Sequence, residues 1–183
     1  MSESAFTRRK STATYWRNKS NDLLGAAGLV WLGMGSTDGR ERDALGLPDW
    51  YSFEVACPAV FRMLCGMSTE LLLKAIIVQR GNEPKQTHNL IELSKQAALD
   101  VSAEQSQLLS VLTEYVIWDG RYPVPKTEPI FEKTRVLAQQ TLTTKVRLGN
   151  SSFSVLRQNG ALDWDNFLKL WNRFNEVYLA HDA

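Results

Sequence analysis

Apolar residues recur every three or four positions along most of this 183-residue chain, which is the spacing of one face of an α-helix. The pattern is strongest near the C terminus, where five aromatic residues share one helical face: Trp164, Phe167, Trp171, Phe174 and Tyr178. Such a face is typical of a core or an interface. The periodicity therefore predicts an all-α fold, in which any sheet is at most a small hairpin.

The apolar faces and the residues that end them place the helices along the chain. The expected helices cover about 16–34, 49–80, 89–97, 102–119, 129–148 and 163 onward. Two of them have capping-box spacing at the N terminus, from Asn89 to Glu92 and from Ser102 to Gln105. Pro58 lies inside the longest segment, so that helix either starts near it or kinks there. Five to six helices with short connections predict an up-and-down antiparallel bundle.

Two segments between the helices carry turn chemistry. Asp119-Gly120 is expected to end a helix, and the prolines at 123 and 125 hold the residues before them in extended backbone. Asn159-Gly160 is a turn signal within a polar stretch, so we expect a loop or a small hairpin near 150–162.

Charge and composition exclude several functional classes. Lys and Arg number 21 against 20 Asp and Glu, a balance that excludes a globally basic nucleic-acid binder. The two cysteines and two histidines are scattered, so neither a disulfide framework nor a closed zinc site is expected. The longest weakly polar run, 23–35, is too short to span a bilayer. We therefore expect one cytoplasmic domain over 1–183, with a flexible segment at 1–12, no metal, no cofactor and no membrane contact.

Three stretches, taken in order, match the signature of a known family. They are Tyr15-Trp16 with Asp22-Leu23 and Ala26-Ala27; then Glu70 to Ala75, Gly81 and His88 to Leu93; and finally Tyr115-Val116 leading to Arg121-Tyr122-Pro123. Over about 13–125 this series resembles the HEPN domain, which is named for nucleotide binding in higher eukaryotes and prokaryotes. The segment 126–183 has no matching motif, and we expect it to add further helices.

The resemblance implies a helical bundle that dimerises around a cleft. Some HEPN proteins are metal-independent RNA endonucleases, often toxins or antiphage effectors, whereas others bind nucleotides or partner a nucleotidyltransferase without cleaving RNA. The cleaving members carry an Arg, then four to six residues, then a His. Here the pairs Arg80–His88 and Arg173–His181 each have seven residues between them. This departure from the motif disfavours cleavage.

Four residues are the candidate nucleotide- or RNA-binding groups: Lys74, His88, Arg121 and Tyr122. Lys74 and Arg121 suit phosphate, Tyr122 suits stacking on a base, and His88 suits proton transfer near neutral pH. Each also has a structural alternative. Lys74 can pair with Glu70 at i,i+4 or lay its stem along apolar surface. His88 can help to start a helix. Arg121 can bond carbonyl groups at a helix end while Tyr122 packs into the core.

Two segments with excess positive charge form a second candidate surface. Between 126 and 160 there are six basic residues and two acids, and the first twenty residues contain five basic residues and one acid. The two segments can meet and follow a phosphate backbone, or each can be an ordinary solvated face.

Three functions are compatible with these observations. The one we favour is a non-cleaving domain that binds a nucleotide or RNA as a homodimer, within a toxin–antitoxin or defence system or beside a nucleotidyltransferase. The second is a divergent metal-independent RNA endonuclease, with His88 as acid or base and Arg121 stabilising charge on phosphorus. The third is an interaction subunit without a ligand, whose aromatic helix docks a partner protein.

Overall fold

A computed structural model describes residues 4–147, 149 and 153–181. Within these residues the chain forms nine α-helices, one π-helical turn and one β-hairpin. The helices are α1 (Ala5–Ser11), α2 (Ala13–Met34), α3 (Arg40–Ala44), α4 (Phe53–Ala56), α5 (Pro58–Gln79), α6 (Leu90–Gln96), α7 (Ala103–Glu114), α8 (Glu128–Leu142) and α9 (Trp164–Ala180). The π-helical turn (Tyr115–Asp119) continues α7, and the hairpin consists of β1 (Thr143–Arg147) and β2 (Ser154–Gln158). The expected helical bundle is confirmed.

Helix α5 is the centre of the bundle. It packs against α2, α6, α7 and α9, and its C-terminal half from Leu72 to Val78 is buried throughout. Pro58 occupies the first turn of this helix, where its missing N–H would have had no intrahelical acceptor. Of the two alternatives for Pro58, the structure therefore shows the helix start, and the short α4 precedes it.

A buried hydrogen-bond network joins α2, α5 and α9. The Ser20 hydroxyl donates to the Ser68 carbonyl at 2.7 Å, and the Ser68 hydroxyl donates to the Ser20 carbonyl at 2.9 Å. Trp171 Nε1 donates to Ser68 Oγ at 2.9 Å. Phe167, Phe174 and Tyr178 of the aromatic stripe are also buried and belong to the core, whereas Trp164 is half-buried and packs against it.

Close backbone packing joins α5 to α7 and to the π-helical turn. A Cβ atom on Gly66 would lie 2.5 Å from Val116 Cγ2 and 2.9 Å from the Leu112 carbonyl oxygen. A Cβ atom on Gly120 would lie 2.3 Å from Met63 Cβ. The end of α7 therefore packs closely against α5. Residues 121–125 were expected to be extended, but the connection 121–127 that leads to α8 contains a turn and several bends.

The hairpin begins earlier than the sequence indicates. A helix over 129–148 and a hairpin near 150–162 were expected, but α8 ends at Leu142 and Thr143 pairs with Gln158 in an antiparallel ladder. The helix end was therefore wrong by several residues. Three of the five residues of β1 are β-branched (Thr143, Thr144 and Val146), which favours a strand over a helix. Residues 148 and 150–152 lie outside the described part of the chain.

Two short helices lie in segments where no helix was expected. Helix α1 lies within 1–12, the segment expected to be flexible, of which residues 1–3 are not among those described; α3 lies in the charged connection after α2. Among the described residues, none of the helices combines the length and apolar character needed to cross a membrane.

Candidate functional site

Glu70 is the centre of a polar cluster on the side of α5 that faces α6. Its Oε1 accepts a hydrogen bond from Lys74 Nζ at 2.7 Å, and its Oε2 lies 2.9 Å from His88 Nδ1. Glu70 and Lys74 are buried, while 58% of the His88 side chain is exposed. The arrangement brings two of the predicted residues together through a third, Glu70, that had been considered only as a structural partner of Lys74.

The hydrogen bond from His88 orients the imidazole ring. Because a carboxylate only accepts hydrogen bonds, His88 Nδ1 carries the proton in this contact and Nε2 is left as the acceptor of the neutral ring. A carboxylate behind one ring nitrogen fixes the tautomer and directs the other nitrogen outward. His88 can therefore accept a proton from a molecule at the surface.

The ammonium of Lys74 is engaged by Glu70, which corresponds to the i,i+4 pairing considered as its structural alternative. Only 9% of its side chain is exposed. Its contribution to this cluster is to neutralise the carboxylate that holds His88.

Arg121 and Tyr122 lie on the surface just after the π-helical turn. Arg121 Nη2 donates to the Ile117 carbonyl, and the guanidinium carbon lies 5.5 Å from the centre of the Tyr122 ring. Arg121 thus contacts a helix-end carbonyl, as its structural alternative proposed. Tyr122 is 57% exposed, so its ring is outside the core and accessible for stacking.

The four predicted residues form two separate pairs. Gly120, next to Arg121, packs on Met63, whereas Lys74 lies eleven residues further along α5. At 1.5 Å per residue this corresponds to about 16 Å along the helix axis. Lys74 and His88 therefore share one site, and Arg121 and Tyr122 belong to another.

A groove of about 590 Å³ lies between the end of α7, the connection 121–127 and α8. We call it the Trp118 groove; it is lined by Glu114, Ile117, Trp118, Tyr122, Val124, Pro125, Lys126, Ile130 and Lys133. Its lining is mostly apolar, with two lysines and one carboxylate. A concave, mainly apolar surface with a few polar groups is the usual character of a small-molecule site.

Glu114 is held in place within the Trp118 groove. Its Oε2 accepts hydrogen bonds from Trp118 Nε1 at 3.1 Å and from the Thr134 hydroxyl at 3.2 Å. These contacts tie the carboxylate to its own helix and to α8. Among the described residues, no hydrogen bond reaches Oε1.

A second polar cluster stabilises the π-helical turn beside the groove. Arg62 Nη1 donates to the Tyr115 hydroxyl at 2.8 Å, and its guanidinium lies 5.4 Å from the centre of that ring. Burial raises the pKa of the Asp119 carboxyl, while the charge of Arg62 and a hydrogen bond from Tyr115 act in the opposite direction. Burial likewise raises the pKa of Tyr115.

The two basic segments lie at opposite ends of α9. Arg17 donates to Asn175 Oδ1 and lies 5.2 Å from the centre of the Tyr178 ring, near the C-terminal end of this helix. The hairpin that carries Lys145 and Arg157 leads into the N-terminal end. The 17 residues of α9 span about 25 Å, so the two segments do not form one continuous surface.

Part of this chain is similar to a known protein family. The family model of the HEPN domain matches residues 60–145, from the start of α5 into β1. Residues 60–145 are thus similar to the HEPN domain, as the resemblance indicated. The match includes α8, for which no motif was recognised in the sequence. Neither a curated protein nor a solved structure matches the chain.

Three residues of these sites were not predicted as functional groups. Glu70 lies 18 positions before His88, a separation at which no local spacing rule applies. Glu114 and Trp118 have the i,i+4 spacing of neighbours on a helix, and this spacing was the available signal for the groove.

Proposed function

We propose that the protein binds a nucleotide or single-stranded RNA in the Trp118 groove without cleaving it. The observation that carries the proposal is the combination, in one groove of about 590 Å³, of an exposed tyrosine ring and two lysines. Nucleotide ligands need a surface for the base and cations for the phosphate. The HEPN match supports a nucleotide- or RNA-related role. A place within a toxin–antitoxin or defence system is part of the same proposal.

Each part of a nucleotide has a counterpart in this groove. The Tyr122 ring offers a stacking surface at one side, and Lys126 and Lys133 offer ammonium groups for phosphate. Arg121, whose guanidinium lies over the Tyr122 ring, adds positive charge beside that ring. The volume lies within the range of about 300–1,000 Å³ that small-molecule sites usually have.

The residues that line the groove do not include a histidine. RNA cleavage without a metal needs a group that removes the 2′-hydroxyl proton near neutral pH. His88, the proton-transfer candidate of the chain, belongs to the Glu70 cluster further along α5. Binding without cleavage is therefore the function that the groove supports best.

The test is RNA binding measured by fluorescence anisotropy with a labelled single-stranded oligonucleotide. We expect Lys126→Glu and Lys133→Glu each to weaken binding by about tenfold. We expect Lys126→Ala to reduce by about one the slope of the logarithm of the binding constant against the logarithm of the salt concentration. Lys169→Glu, on the exposed face of α9, is the matched control. Equal binding by all of these proteins would contradict the proposal.

The Glu70–His88 contact favours a second candidate, a divergent metal-independent RNA endonuclease. A histidine oriented by a carboxylate can act as general base at the 2′-hydroxyl. Incubation with mixed RNA in EDTA tests this candidate: cleavage should disappear in His88→Ala and fall strongly in Glu70→Gln. Intact RNA with the unmodified protein would exclude it and leave the binding function.

A further inference from the structure

We infer that the Trp118 groove selects guanine, because the Glu114 carboxylate accepts hydrogen bonds from guanine N1–H and N2–H. This inference rests on the proposed binding function and specifies which base the groove takes. It depends on the position of Glu114, on the free lone pairs of that carboxylate and on the edges that the four bases present.

Glu114 presents one carboxylate oxygen to a ligand. Trp118 Nε1 and the Thr134 hydroxyl both donate to Oε2, and within the described part of the chain no donor reaches Oε1. A carboxylate has about four acceptor sites, so Oε1 keeps the capacity to accept two further hydrogen bonds. The two existing bonds also fix the orientation of the carboxylate before any ligand arrives.

A carboxylate distinguishes the bases because it can only accept hydrogen bonds. The Watson–Crick edge of guanine has two neighbouring donors, N1–H and N2–H, with no acceptor between them. In adenine and cytosine the amino group lies beside a ring-nitrogen acceptor, and in uracil the N3–H lies between two carbonyl oxygens. The lone pairs of those acceptors would face the negative charge of Glu114. Guanine is thus the base whose edge complements this group.

The charges in the groove are arranged for a guanine nucleotide rather than for a free base. Glu114 accepts from the base edge, while Lys126 and Lys133 supply positive charge in the same groove. A carboxylate alone would repel phosphate, but the two lysines outnumber it. A ligand that carries both hydrogen-bond donors on its base and a phosphate group satisfies both sets of groups.

The experiment measures binding of GMP, IMP and AMP by isothermal titration calorimetry. Since IMP lacks the 2-amino group, we expect the order GMP, IMP, AMP, with GMP about tenfold tighter than AMP. Glu114→Gln replaces the carboxylate with a group that also donates, so its affinities for GMP and AMP should become equal to within about twofold. Glu104→Gln, at the exposed start of α7, is the matched control and should keep the preference.

A second arm separates free nucleotides from RNA. Oligouridine with one central guanosine is compared with the same oligomer carrying adenosine, by anisotropy. A guanosine preference that Glu114→Gln removes supports the inference with RNA as the source of the base, even when GMP alone binds too weakly to measure. The IMP comparison uses the unmodified protein, and therefore tests the inference without depending on the folding of any variant.

The outcomes distinguish the inference from the proposed function. Equal affinity for guanine and adenine ligands, with binding still weakened by Lys126→Glu, would overturn guanine selection and retain nucleotide binding in the groove. Absence of binding by every nucleotide and oligomer would overturn both.

Discussion

Glu70 carries a carboxylate into the bundle, where Lys74 rather than water neutralises it. Removing one partner of a buried ion pair leaves the other charge uncompensated in a poorly polarisable surrounding. We therefore expect Glu70→Ala to lower the free energy of unfolding by about 3 kcal/mol, measured by urea denaturation followed by circular dichroism.

The double variant Glu70→Ala/Lys74→Met is the control for this explanation. It removes both charges and fills the space of the lysine stem with an apolar chain, so it should be more stable than Glu70→Ala alone. If the double variant loses as much stability as the sum of the losses in Glu70→Ala and Lys74→Met, the ion pair does not account for the effect.

Asp119 predicts a pH dependence of stability. Its pKa is raised in the folded protein from the ordinary 3.8, chiefly by burial and further by Glu114, against the opposing effects of Arg62 and Tyr115. The folded protein then binds this proton more tightly than the unfolded chain, so the contribution to stability is greatest at low pH and decreases as the pH rises from 3.8 through the folded-state pKa. Relative to Asp119→Asn, the unmodified protein should lose stability across this interval in urea titrations at several pH values. Parallel curves for the two proteins would contradict this assignment.

The residue-level contacts show which parts of a site a sequence can predict. The Glu70–Lys74 pair follows from i,i+4 spacing and was one of the alternatives for Lys74. The Glu70–His88 contact does not follow from spacing, because it depends on how the connection between α5 and α6 folds back. For the same reason, spacing does not predict the Thr134–Glu114 contact, which joins two helices that the connection 121–127 separates in the chain.

At the scale of elements, the close approach of α5 and α7 depends on Gly66. The nearest atoms to an added Cβ include the Leu112 carbonyl oxygen at 2.9 Å, which belongs to the backbone and cannot rotate away. Gly66→Ala should therefore separate the two helices and lower the free energy of unfolding by about 2 kcal/mol. The measurement is chemical denaturation, together with the RNA binding that the displaced groove would weaken.

Gly25 gives the matched control for this prediction. It lies within α2 with no atom inside 4 Å of an added Cβ, so Gly25→Ala should stabilise the protein by up to about 1 kcal/mol through helix propensity. A similar loss of stability in both variants would show that close packing is not the cause.

The elements that the sequence predicts well are those with local determinants. The capping box at Ser102 and Gln105 is present on both sides, and Asn89 Oδ1 accepts from the backbone N–H groups of Ile91 and Glu92. The strand β1 was assigned to a helix because its pairing with β2 is a contact between distant residues. The Trp118 groove was also not predictable, since three separate elements form it.

At the scale of the molecule, we propose that the chain forms a homodimer, as the family resemblance implies. Leu29 and Leu32 of α2 are three residues apart and are 72% and 70% exposed, and exposed apolar residues that are neighbours on one helix face are typical of an interface. We expect light scattering after size exclusion to give twice the chain mass of 20.7 kDa. Leu29→Glu/Leu32→Glu should reduce this to one chain mass with unchanged circular dichroism. A monomeric unmodified protein would contradict the proposal.

The Ser20–Ser68–Trp171 network has a consequence for how the chain unfolds. Residues 60–145 match the HEPN family, yet Ser68 within this segment is bonded to one residue before it and one after it. Opening either α2 or α9 by itself would leave buried polar groups of α5 without partners, which is costly. The amide protons of these three helices should therefore exchange with deuterium at one common rate, set by global unfolding, so that the matched segment and its flanking helices behave as a single cooperative unit.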